Sequence, residues 1–495
     1  MSKNLLRNLP EVFLSNKDSS SLVSRAVAKK EARKLGPRLY TTNMSDPEEV
    51  IVERNLWPIV GLLFPNAVVG FRTALEGRPT ENGSVFLTGS YTRTLALPGL
   101  TIRMVKGPGP LPGDAQFIGG LWHASQARAF LENLKPSRRR SGTARSVGRM
   151  ELEERLERIL QAAGPDALNQ IRDEAARIAS ALAADTEFNR LSEMIGTMLG
   201  TRSGDLTAPV ALARAAGLPY DPGRIELFHT LIAQLRQWQP ISRPAAENAE
   251  SLRNLNFIDS FFSNYIEGTE FTVDEAAQIV FENRIPDHRP QDAHDVLATF
   301  RILSRSDVMR RNAMGYADDS VVFLALLRQI HSELLGQRPD KRPGQFKVEL
   351  NRAGNTVFVD PQLVAGTLTK GLEFYRSMET PFARAAFMMF LVTEVHPFDD
   401  GNGRLARIMM NIELLAGGET RIIIPTVYRE DYFAALRVLA RQSHALPFVQ
   451  MLDYAQRFTA AIDFRDLSEA LAVLRSCNAF DDTGELRLRL PERIT

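Results

Sequence analysis

Between Thr380 and Gly418 the chain encodes two helices joined by a loop too highly charged to be a simple turn. Thr380 can cap the first helix and Pro381 suits its first turn. Phe382 to Val395 is apolar almost throughout, so this helix is expected to be buried on most sides. His396-Pro397 ends it, because a residue before proline is pushed out of the α region. A second helix is expected from near Arg404, with Leu405, Ile408, Met409, Ile412 and Leu415 as its apolar stripe and Gly417-Gly418 as its stop. Arg404, Arg407 and Asn411 fall on a neighbouring polar face at i, i+3 and i+7.

The loop, His396-Pro397-Phe398-Asp399-Asp400-Gly401-Asn402-Gly403-Arg404-Leu405-Ala406-Arg407, carries the chemistry. It feeds the amino end of a helix, where free backbone N–H groups and the helix dipole favour an anion. Gly401 and Gly403 permit an anion nest and close approach by a phosphate. Arg404 and Arg407 can grip phosphate oxygens bidentately. Asp400 can hold Mg²⁺, which binds through one or two carboxylates and substrate phosphates. His396 can take a proton from an incoming hydroxyl. Phe398 reads as an apolar anchor that aims the loop. Singly, a histidine at a helix end or a Gly-Asn-Gly turn is usually structural; together, each position has a distinct task in one nucleotide reaction.

A second constellation lies upstream. Leu255, Ile258, Phe262 and Ile266 define one helix face; Asn256, Ser260, Ser263 and Glu267 line another. Gly268 reads as the residue just past the carboxyl end. From spacing alone, Glu267 is a surface residue beside a helix stop.

The loop resembles the signature of the Fic family, HPFx(D/E)GNGRxxR, at every specified position. The resemblance implies an all-helical core with a β-hairpin flap and transfer of AMP from ATP to a hydroxyl of a target protein. It implies His396 as base, Asp400 as magnesium ligand, Gly401, Asn402 and Gly403 as anion hole, and Arg404 and Arg407 as phosphate clamps. Asp399 stands at the variable position and receives no role. An intact glycine at 403 favours AMP transfer, since family members that phosphorylate have a bulkier residue there. Ser263 to Gly268 resembles the family's inhibitory motif (S/T)xxxE(G/N), with Ser263, Glu267 and Gly268 at its defined positions. The resemblance implies that Glu267 pairs with Arg407 and blocks the γ-phosphate site of ATP. Thr272 and Glu275 extend it modestly. It runs from about Leu252 to the helix around Tyr432–Leu439.

Phe346 to Leu350 alternates, Asn351 to Asn355 turns, and Thr356 to Val359 is β-prone, which predicts a hairpin before the catalytic helix. In Fic proteins a hairpin here aligns the target by strand pairing. Lys347 stands near the place of an arginine common in the family. His331, in a helix ending near Gly336, reads as structural.

At 495 residues the chain is too long for one typical core. Expected regions are a basic helical, winged-helix-like segment at 1–44, a mixed α/β domain at 45–134, a linker at 135–149 and a helical connecting region at 150–240. The Fic domain follows at 241–465, with its inhibitory helix at 252–268, then a tail at 466–495. The fold class is therefore mainly α, with a smaller mixed α/β amino-terminal region. Within residues 1–44 a helix is expected over Leu22 to Leu35, ended by Gly36-Pro37; Ser45 to Glu48 reads as a capping box.

Net charge is +1, which excludes a uniformly basic nucleic-acid binder, but residues 1–42 hold nine Lys/Arg against three Asp/Glu. Arg138-Arg139-Arg140 forms a second basic run. Residues 1–42 loosely resemble the winged helix that begins AbiEi-type antitoxin regulators, which implies DNA or RNA contact through Lys29, Lys30, Arg33 and Lys34. One cysteine, Cys477, excludes an internal disulfide framework and a Cys-rich zinc site. No signal peptide or bilayer-length apolar run is read, so the expectation is a cytoplasmic protein that does not enter membranes.

The function expected is an autoinhibited protein adenylyltransferase using ATP and Mg²⁺ on a target protein's Tyr, Ser or Thr hydroxyl, with room for self-modification and a homodimer. The alternatives are an antitoxin-like nucleic-acid-binding regulator with a secondary Fic domain, and a Fic enzyme that removes AMP with Glu267 positioning water.

Overall fold

The computed structural model describes residues 9–137, 143–246, 248–309 and 319–491. The basic run Arg138–Arg140 and the residues before Leu9 lie outside these. The chain forms two compact units, Met1–Gly217 and Leu218–Thr495.

The first unit is mixed. Strands β1 (Val12–Leu14), β2 (Arg33–Gly36) and β3 (Leu39–Thr41) form an antiparallel sheet in the order β1-β3-β2, and helix α1 (Ser20–Ala28) precedes the β2–β3 hairpin. The helix expected to reach Leu35 stops at Ala28. Lys30 takes a left-handed φ of 57°, which ends the helix, and Leu35 and Leu39 are buried as part of the hairpin that follows. A six-stranded sheet follows, built from β4 (Val68–Val69), β5 (Ser84–Gly89), β6 (Arg93–Leu97), β7 (Leu100–Lys106), β8 (Ala115–Phe117) and β9 (Leu121–His123). Its order is β6-β7-β5-β4-β9-β8, with β5–β7 and β4–β9 parallel. Val85, Leu87 and Ile102 alternate onto its covered face and share one core with Leu35, Leu39, Ile59 and Val60. The expected capping box at Ser45 does not form; the helix there, α2 (Glu48–Arg54), starts after Pro47 with no side-chain cap.

The 135–149 stretch is not a free linker where it is described. The Val147 N–H donates to Asn133 Oδ1 at 2.9 Å, Val147 is buried, and the Arg145 guanidinium lies 5.0 Å over the Phe71 ring. Helix α3 (Arg149–Ile178) then breaks at Gly164-Pro165, where Gly164 is at φ 76°.

The second unit is helical. It begins before the expected boundary at 240, because helix α4 (Pro222–Gln237) packs on α9 (Val364–Tyr375) and α10 (Pro381–Val395) of the same unit. Between these lie α5 (Ala249–Ile266), α6 (Val273–Glu282), α7 (Pro290–Ser304) and α8 (Ser320–Leu334). The central pair is α10 against α11 (Asn402–Ala416). Phe387, Met388, Phe390 and Leu391 on α10, and Leu405, Met409 and Ile412 on α11, are fully buried. Each such side chain contributes about 1.5–3 kcal/mol of burial, so the pair is a rigid platform for the loop between its helices. The segment after 466 is likewise no loose tail: Cys477, Ala479 and Leu488 are buried against α5, whose apolar face is the one read from spacing.

The hairpin is shorter than expected and shifted. Arg352–Ala353 pairs with Thr356–Val357, whereas Phe346 to Leu350 forms no strand. That stretch is tied to the loop instead: the Lys347 N–H donates to Pro397 O at 2.9 Å and Asn351 Nδ2 to Phe398 O at 2.9 Å.

Candidate active site

Helix α10 ends at Val395, and His396 leaves it in the left-handed region at φ 51°. Its Nδ1 lies 3.2 Å from Thr393 O. A carbonyl only accepts, so Nδ1 carries the proton and Nε2 is left as the basic nitrogen. The imidazole is half-buried, and burial pushes its pKa down to about 4, with the Lys347 ammonium acting in the same direction.

The loop is held from beneath by His331, which has the structural role read from the sequence. His331, fully buried, accepts the Gly344 N–H at Nδ1 (2.9 Å), so its Nε2 donates to Asp400 O (3.0 Å). Its ring stacks on Phe398 with centroids 3.8 Å apart and planes 5° apart. Burial lowers the His331 pKa to about 4, which keeps this tautomer neutral. Phe398 is the buried anchor expected. Asp399, at the variable position, pairs bidentately with Arg342 at 2.8 and 2.9 Å.

Gly401 is the N-cap of α11 at φ 73°, a conformation that disfavours any side chain. Asn402 is turned inward: its amide accepts from Phe398 N–H (2.9 Å) and donates to Phe398 O (2.8 Å). The expectation that Asn402 joins an anion hole is thus narrowed to its backbone N–H, since the side chain is spent on the loop. Asp400 accepts the Gly401 N–H at 2.6 Å, is half-exposed, and lies 3.9 Å from Arg404 Nη2. Among the described residues no group of three or more His, Cys, Asp or Glu converges to cage a metal. One half-exposed carboxylate fits a cation that takes its other ligands from phosphates and water.

The polar face of α11 meets the polar face of α5. Arg404 Nη1 donates to Asp295 Oδ2 at 2.7 Å and Asn264 Oδ1 at 3.2 Å. Arg407 donates from Nε to Ser263 Oγ (2.9 Å) and from Nη2 to Ser263 O (2.8 Å) and Glu267 Oε1 (2.7 Å). Asn411 Nδ2 donates to Asp259 Oδ2 at 3.0 Å. Glu267 is the C-cap of α5, and Gly268 follows at φ 89°. The Glu267 carboxylate lies where a side chain on Gly403 would have to go, with Arg407 Nη1 beside it. Burial works against the Arg407 charge, but Glu267 and Tyr432 hold its pKa above the usual value. Among the described residues, Arg407 Nη1 and Arg404 Nε are buried without a well-formed hydrogen bond, donors available to another acceptor.

Asp295 is the residue sequence reasoning missed. It is fully buried on α7 and also accepts from Arg338 Nε at 2.8 Å. Burial opposes its charge, yet His294, Arg404 and Arg338 hold its carboxyl below the usual range. A lone aspartate in an amphipathic helix carries no signal of this in the chain; only an acid on a buried face hints at a hidden cation. Thr272 and Glu275, by contrast, form a capping box on α6 and no part of the site.

Residues 322–414 match the family described as Fic/DOC, and this region is a Fic domain. Similar proteins carry the name protein adenylyltransferase. One is fic-1 of Caenorhabditis elegans, 26% identical over 207 residues that cover 40% of this chain and 39% of the relative. Another is Fic of Drosophila willistoni, 26% identical over 191 residues, 38% of this chain and 37% of the relative. The chain spans about two fifths of the length of these curated relatives. A solved structure of Fic-1 from C. elegans aligns with 66% of this chain and 93% of its own, at 19% identity and a TM-score of 0.34. No helix among the described residues is long and apolar enough to cross a membrane.

Proposed function

We propose that this protein transfers AMP from ATP to a hydroxyl of a target protein, and that Glu267 holds the site in an inhibited state. The observation that carries the reading is the meeting of Glu267 with Arg407 over Gly403, beside a histidine whose Nε2 is the basic nitrogen. His396 Nε2 takes the target's hydroxyl proton. The oxygen attacks the α-phosphorus as the bond to the bridging oxygen breaks, and pyrophosphate leaves. Arg404 and Arg407 bear the developing charge on the phosphate oxygens, and the free N–H groups at the start of α11 receive an anion. Asp400 would hold magnesium, which would supply charge neutralisation on the phosphates. With Glu267 in place, one prong of the clamp is taken and the polyphosphate cannot reach its productive pose.

The names of the adenylyltransferase relatives support the reaction class. A protein target is supported by the same name, protein adenylyltransferase, carried by these relatives. The test is incubation of the full chain with α-labelled ATP and Mg²⁺ beside candidate target extracts. Label on protein with Glu267→Gly and none with His396→Ala supports the reading; no label in either sinks it.

A second reading rests on the first unit. Helix α1 runs into a two-stranded wing, and Lys29, Lys30, Lys34 and Arg38 are exposed around it. Arg33, also expected to reach nucleic acid, instead donates to the Asp46 backbone and is half-buried. The reading is a nucleic-acid contact made through the remaining basic residues, which coexists with the first. Electrophoretic retardation of duplex DNA that weakens steeply with salt and is lost on Lys29→Glu/Lys30→Glu tests it.

A further inference from the structure

Phe358 comes directly after the second strand of the hairpin, Thr356–Val357. Its ring lies flat on the His396 imidazole, with centroids 3.7 Å apart and planes 7° apart. Its backbone N–H donates to Asn351 O at 3.3 Å. Asn351 in turn accepts from Lys347 Nζ at 2.7 Å and donates to Phe398 O at 2.9 Å. The hairpin is therefore joined to the histidine twice: ring on ring through Phe358, and through Asn351 to the backbone two residues further on. Phe358 is 8% exposed although it adjoins an exposed two-residue ladder. Val348 and Val357 of the same excursion are exposed, whereas Phe358 is turned inward and packs on the imidazole.

We propose that Phe358 is a positioning residue for His396, fixing the plane of the imidazole so that Nε2 faces the incoming hydroxyl and coupling that plane to the hairpin. The proposal deepens the AMP-transfer reading and rests on it for the role of His396. Thr393 O holds one edge of the ring, and Phe358 holds its face; neither alone sets both the rotation and the tilt. The same ring excludes water from one side of the imidazole, which contributes to the desolvation that lowers its pKa. The charged groups around His396 are Lys347 ahead of the hairpin, Glu267 at the end of α5 and Asp400 in the loop. Lys347 depresses the histidine, while the two acids raise it.

The experiment is a titration of the full chain with its seven histidines labelled at Cε1, the His396 signal being assigned by its loss in His396→Ala. Wild type and Phe358→Tyr are expected to titrate near 4, and Phe358→Ala about one pH unit or more higher, toward the ordinary imidazole value. In the Glu267→Gly background, Phe358→Ala is expected to lower kcat for AMP transfer on the order of tenfold, with little change in KM for ATP, while the acid limb of the pH profile moves up. Phe358→Leu keeps apolar cover without a stack; a kcat between those of wild type and alanine supports alignment by the ring. An unchanged His396 midpoint in a folded Phe358→Ala protein, judged by its melting temperature, overturns the proposal. The titration needs no turnover. Absence of labelling by Glu267→Gly therefore defeats the reaction, whereas labelling with an unmoved midpoint defeats only the role of Phe358.

Discussion

Glu267 Oε1 lies 2.7 Å from Arg407 Nη2, and the same carboxylate covers Gly403 at the start of α11. One side chain thereby occupies both the arginine proposed to grip phosphate and the space over the glycine proposed to receive an anion. Arg407 is 3% exposed and also bonded twice to Ser263, so it cannot swing away to meet a ligand elsewhere. Glu267 is 26% exposed and ends its helix, so it is the partner that can move.

Removing that partner is expected to activate. A hydrogen bond to a charged group contributes about 1.5–3 kcal/mol, and each 1.4 kcal/mol is about tenfold in a population. Glu267→Gly should therefore raise labelling from α-labelled ATP on the order of 10- to 100-fold. Ser263→Ala, which leaves Glu267 in place, should raise it far less. Equal labelling by wild type and Glu267→Gly would contradict a brake.

The pH dependence of stability follows from His331. Its folded pKa of about 4 lies below the usual 6.5, so the unfolded chain takes up the proton first. Stability is complete above pH 6.5, falls as pH drops, and levels off below about 4. The loss from this residue is on the order of 3 kcal/mol. His331→Phe keeps the stack on Phe398 but removes both hydrogen bonds. Urea unfolding should show it less stable at pH 7, by about 1–3 kcal/mol, with a shallower fall toward pH 4.

Asp295 should prove as sensitive as any residue in the loop. Asp295→Ala leaves Arg404 and Arg338 without their shared carboxylate, and uncovering a buried charge costs about 3–5 kcal/mol. Chemical denaturation should show this loss. Calorimetry on the surviving fold should show weakened ATP binding with adenosine binding unchanged, because the proposed role of Arg404 is to grip phosphates.

Lys347 gives a prediction in the opposite direction. It is buried, and burial pushes its ammonium down to about 8 from 10.5. Between these values the unfolded chain holds the proton more tightly, so stability should rise with pH from about 8 to 10.5. Lys347→Met should abolish that rise. It should leave the melting temperature at pH 7 the same or higher, and still lower AMP transfer by removing the ammonium that orients the Asn351 amide, which in turn donates to Phe398 O in the loop. A pH-independent wild type in this range would refute the assignment.

The chain itself determined the parts of the site that depend on local periodicity and backbone chemistry. Phe382–Val395 could only be a buried helix, His396-Pro397 could only end it, and the glycines at 401 and 403 marked an anion-sized gap beside two arginines. The helix Ala249–Ile266 was legible for the same reason, since its apolar face recurs at helical spacing. The tertiary structure decided what lies far apart in sequence. Nothing local tells Asp295 that it will meet Arg404, or Phe358 that it will cover His396, or Lys347 that it will be buried rather than docked on a target. It also shortened α1 and the hairpin, because tertiary hydrogen bonds and hydrophobic burial outweighed local propensity there. Propensity acts over a few residues, whereas a buried charge or a ring face is satisfied by whichever group the packing brings within reach.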